Sequence, residues 1–264
     1  MINEALHFNN NLQIYNEIRP GYPKELYRII SKYKTFDKNS NILEIGSGNG
    51  IASEDIYNTW KTKLVLIEPG KEFYELLNNK FIDYKDITIE NTTFEDYQNK
   101  IQFDAIFAAT SFHWIDMSVK YKKSNEMLKD DGVLIIYWNN YIINNKLINN
   151  KIQNIYRQYE NNRIKRKLDI YKTQKIKIEN RRKEIEHSEY FILLKHKIIK
   201  WRKKYTSDEY IKLLRTFPDN KNKDMSFFDQ IRQEIMKNRN EIEIQITVNL
   251  EIAKKLTELV TKSE

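Results

Sequence analysis

The stretch from Asn41 to Gly50 constrains the fold of this chain more than any other, because an apolar run passes directly into three alternating glycines. The run from Ile42 to Ile45 has the length and composition of a buried strand, and the glycines predict a sharp turn into a helix. Glycine lacks a Cβ, so a ligand can approach its main-chain atoms closely. The pattern therefore predicts a ligand-binding loop, whose glycines are Gly46, Gly48 and Gly50.

A second apolar run, Lys63 to Ile67, ends at Glu68, which follows Gly50 by 18 residues. In nucleotide-binding α/β folds, a carboxylate about 20 residues beyond the glycine loop binds ribose hydroxyls. A dinucleotide fingerprint requires Gly-x-Gly-x-x-Gly, whereas the glycines here run Gly-x-Gly-x-Gly and are followed by Ile51. The two segments predict a nucleoside site that is not of the dinucleotide type.

The glycine triplet, with Glu44 in the strand before it, resembles motif I of the class I S-adenosylmethionine-dependent methyltransferases. Two further segments are similar to a small-molecule subgroup that includes the trans-aconitate methyltransferases. They are Tyr-x-x-x-Arg-Pro-x-Tyr-Pro at residues 15–23 and the stretch from Tyr205 to Phe217. The resemblance covers nearly all of the chain outside residues 141–195, and it implies S-adenosyl-L-methionine as the cofactor.

The remaining apolar runs predict an α/β fold. Three strands follow the first two, so that the order βαβαβαβαβ is complete by about residue 139; they lie at 86–91, 103–109 and 133–138. Residues 198–202 predict a sixth strand, and the alternating segment 243–249 predicts an antiparallel edge strand. We therefore predict a doubly wound, Rossmann-like, seven-stranded sheet that is mostly parallel, with an antiparallel C-terminal strand and an inserted helical cap.

The net charge of +8 is concentrated in one segment. Residues 141–204 hold 19 Lys and Arg against 6 Asp and Glu, and apolar residues there recur at helical spacing. We predict a cofactor-binding core at 1–140, a basic helical cap at 141–195 and a C-terminal completion of the sheet at 196–264. The basic runs Arg163–Lys167 and Arg181–Lys183 are typical either of nucleic-acid binding or of a solvated helix face, and we favour the second.

The resemblance also implies the residues that bind the cofactor. Near the N-terminus, the rings of Tyr15 and Tyr22 and the guanidinium of Arg19 would lie beside the sulfonium and the methionyl carboxylate of the cofactor. Alternatively, these side chains would brace the N-terminal arm. Thr93 stands where the family often has aspartate, and its hydroxyl would accept from the adenine amino group or cap a helix. The predicted cofactor-binding residues are Tyr15, Arg19, Glu44, Gly46, Ser47, Gly48, Gly50, Glu68, Pro69, Thr93, Phe94, Ala109 and Thr110.

Residues Thr110 to Trp114 emerge from the C-terminal end of the fourth strand, where ligands of open α/β sheets bind. If the acceptor is a hydroxyl, His113 is the predicted general base; if it is a carboxylate, no proton must leave and Arg19 would orient it. The sequence is equally compatible with His113 as a residue that only lines the pocket. Tyr22, His113 and Trp114 are therefore the predicted substrate-binding residues.

Composition excludes several kinds of site. The chain has no cysteine, which excludes disulfides, thiolate nucleophiles and cysteine-held metals, and its four histidines are scattered, so we predict no metal. No apolar stretch approaches about 18 residues and no signal peptide is visible, which predicts a cytoplasmic protein without membrane contact. We expect a monomer or homodimer.

The predicted function is methyl transfer to a small-molecule acceptor. Two alternatives are an RNA-directed methyltransferase that uses the basic cap, and a non-catalytic protein that binds S-adenosylmethionine. The motif that grips a base amino group, Asn-Pro-Pro-aromatic or Asp-Pro-Pro-aromatic, is absent after the fourth strand, where Ala109-Thr-Ser-Phe112 stands. We therefore do not favour nucleic acid as the partner.

Overall fold

A computed structural model of the chain describes residues 15, 17–99, 101–159 and 170–257, with the side chains of the last range described from residue 176. The basic run Arg163–Lys167 lies outside the described residues. Among the helices that are described, none combines the length and the apolarity that crossing a membrane requires.

Seven strands form one mostly parallel sheet in the order β3-β2-β1-β4-β5-β7-β6, with one antiparallel strand. The pairs β1–β2, β2–β3, β1–β4 and β4–β5 are parallel. This confirms the predicted fold class. The strands are β1 (Asn41–Ile45), β2 (Lys63–Ile67), β3 (Ile87–Glu90), β4 (Phe103–Ala109), β5 (Leu128–Ile143), β6 (Phe191–Thr206) and β7 (Glu241–Lys255).

Eight α-helices are described in the residues between and beside these strands. The first four are α1 (Lys24–Ile30), α2 (Ile51–Trp60), α3 (Lys71–Lys80) and α4 (Met117–Met127). The others are α5 (Lys146–Tyr159), α6 (Ile170–Glu186), α7 (Ser207–Arg215) and α8 (Met225–Met236). A 3₁₀ turn, Phe112–Trp114, follows β4, and a second, Pro218–Asn220, follows α7.

The chain divides into two compact units, which are described separately. The first, here called the glycine-loop unit, comprises Gly21–Trp138, Ile176–Ile199 and Val248–Glu264; the second comprises Met1–Pro20, Asn139–Lys175 and Lys200–Thr247. In the glycine-loop unit, apolar residues of β1, β4 and β5 pack in one cluster with Ile185 of α6 and Ala253 of β7. In the second unit, apolar residues of α5, α7 and α8 form a separate core.

The position of β7 differs from the prediction. We expected residues 243–249 to form a half-buried strand at the edge of the sheet, but β7 lies between β5 and β6 and extends to Lys255. Residues 247–253 are all buried, because an inner strand is covered on both faces. The edge position belongs to β6, which is much longer than the predicted 198–202.

The bounds of β5 also differ from the prediction, which began this strand at Val133. In the structure β5 begins at Leu128, but its pairing with β4 shifts register between Phe103 and Ala105, whose partners are Leu128 and Val133. Residues 129–132, for which the sequence predicted a turn, lie in this irregular part of the pairing. Residues 141–195 comprise the end of β5, α5, α6 and the start of β6, together with residues that are not described. The three-part domain division stays a prediction.

Candidate functional site

The glycine loop between β1 and α2 has two packed positions and one open position. Its three glycines have φ angles of +66°, +55° and +72°. A Cβ on Gly46 would lie 2.6 Å from the Cβ of Ser111, and one on Gly50 would lie 2.8 Å from Leu77, so neighbouring chain excludes larger residues. A Cβ on Gly48 would meet no described atom within 4 Å. The middle of the loop therefore exposes its main chain to open space.

Glu68, at the end of β2, is bonded directly to this loop. One carboxylate oxygen accepts from the Gly48 N–H at 2.8 Å, and the other accepts from the Gly70 N–H at 2.8 Å. The residue is only 7% exposed, and burial raises the pKa of its carboxyl while the hydrogen bonds from Gly70 and Gly48 oppose that rise. An ionised carboxylate has about four acceptor positions, so two remain for ligand hydroxyls.

Glu44 lies beneath the loop and is 1% exposed. It accepts a hydrogen bond of 2.5 Å from the hydroxyl of Ser53 on α2. Burial raises the pKa of Glu44 to about 8, against the opposing effect of Ser53, and the charge of Glu68 raises it further. The side chain is therefore mainly protonated at neutral pH. The hydrogen bond between Glu44 and Ser53 links α2 to β1. The cofactor-binding role of Glu44 stays a prediction.

Other side chains support the loop and the strand ends beside it. Lys80, the last residue of α3, donates to the Gly50 carbonyl at 3.1 Å and pairs with Glu54 at 2.8 Å. Asn91 donates to the Glu68 carbonyl at 2.8 Å. Neither Lys80 nor Asn91 was predicted from the sequence, because no local motif marks a side chain that reaches the loop from a distant element.

The turn after β4 brings Thr110 and Ser111 to the same place. Ala109 pairs with Tyr137, and the Thr110 N–H donates to the Tyr137 carbonyl at 2.8 Å. Ser111, which was not among the predicted site residues, donates a hydrogen bond from its hydroxyl to the Ile45 carbonyl. Thr110 shares a 3.2 Å hydrogen bond with the hydroxyl of Tyr22. The structure thus brings the predicted residues Ala109, Thr110 and Tyr22 close to the glycine loop.

His113 lies in the 3₁₀ turn that follows. Its Nδ1 accepts a 3.3 Å hydrogen bond from the indole N–H of Trp138, and its ring packs on Trp114 with centroids 4.8 Å apart. Although His113 as a whole is exposed, desolvation lowers its pKa to about 4, and the charges of Arg181 and two lysines act in the same direction. A neutral imidazole that accepts at Nδ1 carries its proton on Nε2. His113 therefore presents a donor to its surroundings.

The residues predicted to hold adenine have local partners. Thr93 donates its hydroxyl to Asp96 at 2.8 Å and accepts from the Asp96 N–H at 3.1 Å, which is a capping arrangement. Phe94 is 3% exposed and belongs to the core of the glycine-loop unit. Pro69 is exposed, and the Ser47 hydroxyl donates to the Glu44 carbonyl at 3.4 Å. The cofactor roles of these residues stay predictions.

Tyr15 and Arg19 belong to the second unit. The Arg19 guanidinium lies 4.9 Å from the Tyr15 ring centroid and 4.4 Å from that of Phe217. It donates to the Thr216 carbonyl at 3.0 Å and to the Tyr141 hydroxyl at 3.4 Å. These contacts are compatible with bracing, which is one of our two interpretations. The cofactor roles of Tyr15 and Arg19, and the substrate-orienting role of Arg19, stay predictions.

Comparison with known proteins agrees with this geometry. Residues 43–136 match the model of a family described as a methyltransferase domain. An uncharacterised methyltransferase of Schizosaccharomyces pombe is 24% identical over 134 residues, which are 50% of this chain and 52% of that protein. The chain spans about half the length of the curated relatives that it matches.

Two solved structures show the same fold at low sequence identity. A candidate type II methyltransferase from Anaeromyxobacter dehalogenans superposes with a TM-score of 0.66 at 13% identity, over 89% of this chain and 97% of that one. A phosphoethanolamine N-methyltransferase from Haemonchus contortus, in complex with S-adenosylhomocysteine, gives 0.51 at 13% identity, over 94% of this chain and 58% of that one.

Proposed function

This chain contains a class I, S-adenosylmethionine-dependent methyltransferase domain, and we propose that it transfers a methyl group to a small-molecule acceptor. The observation that carries the proposal is the junction of Gly48 with Glu68. It combines an open stretch of main chain with a buried carboxylate that keeps acceptor positions for hydroxyls.

S-adenosylmethionine fits the residues at this junction. The loop from Gly46 to Gly50 contains no lysine or arginine that could bind a phosphate, and S-adenosylmethionine has no phosphate group. The open main chain at Gly48 therefore needs only to pass close to the ligand. Glu68 would hold the ribose hydroxyls, and Ser47, Ala109 and Thr110 would line the methionyl part. When bound, the cofactor supplies a methyl group that its sulfonium has already activated.

The protein contributes alignment and exclusion of water, because displacement at an activated methyl needs little else. The state of His113 bears on the acceptor. A histidine whose pKa is lowered to about 4, and whose Nδ1 is engaged by Trp138, is a weak base but a good hydrogen-bond donor. We therefore favour a carboxylate acceptor, which loses no proton, over a hydroxyl, and we assign His113 to orienting it.

An RNA acceptor is less well supported than a small molecule by the described part of the basic segment. Arg182 pairs with Glu179 at 2.8 Å, and Lys183 lies 4.0 Å from the same carboxylate. Two of the three basic residues at 181–183 are thus partly neutralised along α6, whereas phosphate binding uses cations that are free to release counterions.

A transfer assay tests the proposal. The full chain is incubated with S-adenosylmethionine and single small carboxylic acids, and both S-adenosylhomocysteine and the methylated product are followed by mass spectrometry. We expect turnover that requires an acceptor and is abolished in Gly48→Arg, while Glu72→Gln on the exposed face of α3 retains it. Binding of the cofactor without transfer to any acid or hydroxyl compound would contradict the proposal, and transfer confined to RNA would support the alternative.

A further inference from the structure

Arg181 of α6 is held against an aromatic ring in the glycine-loop unit. Its guanidinium carbon lies 4.2 Å from the ring centroid of Trp138, which is 3% exposed. A guanidinium over the face of a tryptophan is attracted by the ring's quadrupole, so this contact restricts where the Arg181 side chain lies while its N–H groups can still donate. The residue is therefore preorganised to donate hydrogen bonds.

The charge of Arg181 lacks the close partners that neighbouring cations have. Within the described residues, no carboxylate lies within ion-pair distance of Arg181 and no acceptor bonds to it, whereas Lys120 pairs with Glu184 at 2.8 Å. Desolvation lowers the pKa of Arg181, and the more distant charges of Glu184 and Glu251 offset this only in part. A partly desolvated cation without a contacting counter-ion is unfavourable unless an anion binds to it.

The groups around this guanidinium are also donors or cations. The indole N–H of Trp138 donates to the Nδ1 of His113 at 3.3 Å, which leaves the His113 Nε2–H as a second donor. Lys120 and Lys177 both lower the pKa of His113, so their positive potential reaches the same imidazole. The cluster of Arg181, Trp138 and His113 is thus electropositive and rich in donors.

The cluster lies at the end of the sheet that carries the glycine loop. Trp138 directly follows Tyr137, whose carbonyl accepts from the Thr110 N–H at 2.8 Å. Ser111, the next residue, donates to the carbonyl of Ile45, immediately before the loop. His113 stands two residues further on. The donor-rich cluster and the proposed cofactor site therefore adjoin the same turn after β4.

We propose that Arg181, stacked on Trp138 and accompanied by His113, binds an anionic group of the methyl acceptor, either a carboxylate or a phosphate ester. The guanidinium fork matches both groups through two parallel hydrogen bonds. This inference rests on the proposed function and narrows its acceptor to molecules that carry an oxyanion. The two probes in the experiment below, a carboxylate and a phosphate, distinguish which of these groups binds.

Calorimetry on the full chain saturated with S-adenosylhomocysteine tests this inference, with citrate and inorganic phosphate as separate probes. The variants are Arg181→Gln and the matched control Arg182→Gln, which removes the same charge one residue away. We expect Arg181→Gln to weaken binding of the preferred anion about tenfold or more, and Arg182→Gln to change it less than about twofold. Arg181→Lys, which keeps the charge but loses the fork, should fall between them.

Equal weakening in Arg181→Gln and Arg182→Gln would overturn the inference, because net charge alone would then explain binding. Failure of the wild-type chain to bind either probe would overturn it as well. A separate titration of the ligand-free chain with S-adenosylhomocysteine distinguishes failure of this inference from failure of the proposed function. If S-adenosylhomocysteine binds and the anions do not, only this inference fails. If S-adenosylhomocysteine does not bind, the proposed function fails too.

Discussion

Thr110 has a backbone φ of +63°, a left-handed conformation that β-branched residues rarely adopt. Two contacts hold it there: its N–H donates to the Tyr137 carbonyl, and its hydroxyl is bonded to that of Tyr22. Strain of this kind persists where the surrounding structure fixes it, and it is concentrated at functional sites. The position of Thr110 after β4, beside the glycine loop, agrees with that tendency.

We expect Thr110→Gly to separate stability from activity. Glycine removes about 1–2 kcal/mol of backbone strain but adds about 0.5–1 kcal/mol of unfolded-state entropy and loses a hydrogen bond worth about 1 kcal/mol. The free energy of unfolding should therefore stay within about 1 kcal/mol of wild type in urea titrations. We expect kcat/KM for methyl transfer to fall about tenfold, because the hydrogen bond between Thr110 and Tyr22 that helps to align the site is lost.

The matched control is Lys61→Gly, at the exposed C-cap of α2, where φ is +55°. It relieves the same kind of strain without touching the turn after β4, so it should leave transfer unchanged. Full activity in Thr110→Gly, or a loss of stability of several kcal/mol, would show that the residue has a purely structural role.

At the scale of elements, β1 and α2 are linked by the hydrogen bond between Ser53 and the protonated carboxyl group of Glu44. Burial raises the pKa of Glu44 to about 8, above the value of about 4.5 that it has when exposed. Because the folded-state pKa is the higher one, the stability contributed by protonated Glu44 is complete below about pH 4.5 and is lost as the pH rises towards about 8. The slope approaches about 1.4 kcal/mol per pH unit in that window.

We expect Glu44→Gln to reduce this loss of stability, because glutamine accepts from Ser53 without acquiring a charge. The difference in unfolding free energy between variant and wild type should shift in favour of the variant between about pH 5 and about pH 8. Chemical denaturation at several pH values measures it, with Glu72→Gln as the control for a lost exposed carboxylate. Parallel pH profiles for Glu44→Gln and wild type would contradict a protonated Glu44.

The elements also show what the sequence could predict. The strands β1, β2 and β4 were found nearly to the residue, because inner parallel strands are continuous apolar runs bounded by turn residues. The alternation in β7 predicted a half-buried edge strand, and tertiary packing overrode it: residues 247–253 are buried although they include polar Asn249 and Glu251. The length of β6 was hidden by its lysines, which suit an edge.

At the scale of the whole molecule, local spacing found the loop but not the groups that three elements bring together. Gly48 and Glu68 belong to a motif with a fixed separation, so the sequence identified both. Trp138 from β5 and Arg181 from α6 meet His113 only in the folded chain, and no spacing connects them. The predicted residues also divide between units, since Tyr15 and Arg19 lie in the second unit and the glycines in the first.

The central claim is that the Gly48–Glu68 junction holds S-adenosylmethionine, and titration calorimetry with this cofactor and S-adenosylhomocysteine tests it most directly. We expect wild type and Glu72→Gln to bind with dissociation constants on the order of micromolar. Glu68→Gln should bind about tenfold or more weakly, because it loses the charged acceptor of the ribose hydroxyls. Gly48→Arg should not bind, because its side chain would occupy the open space beside the loop and a φ of +55° is strained for arginine. Circular dichroism of this variant checks that the chain folds.

The account predicts weaker binding in Glu68→Gln, no binding in Gly48→Arg and wild-type affinity in Glu72→Gln. Wild-type protein that binds neither compound, or Glu68→Gln and Gly48→Arg variants that bind both as tightly as wild type, would contradict it.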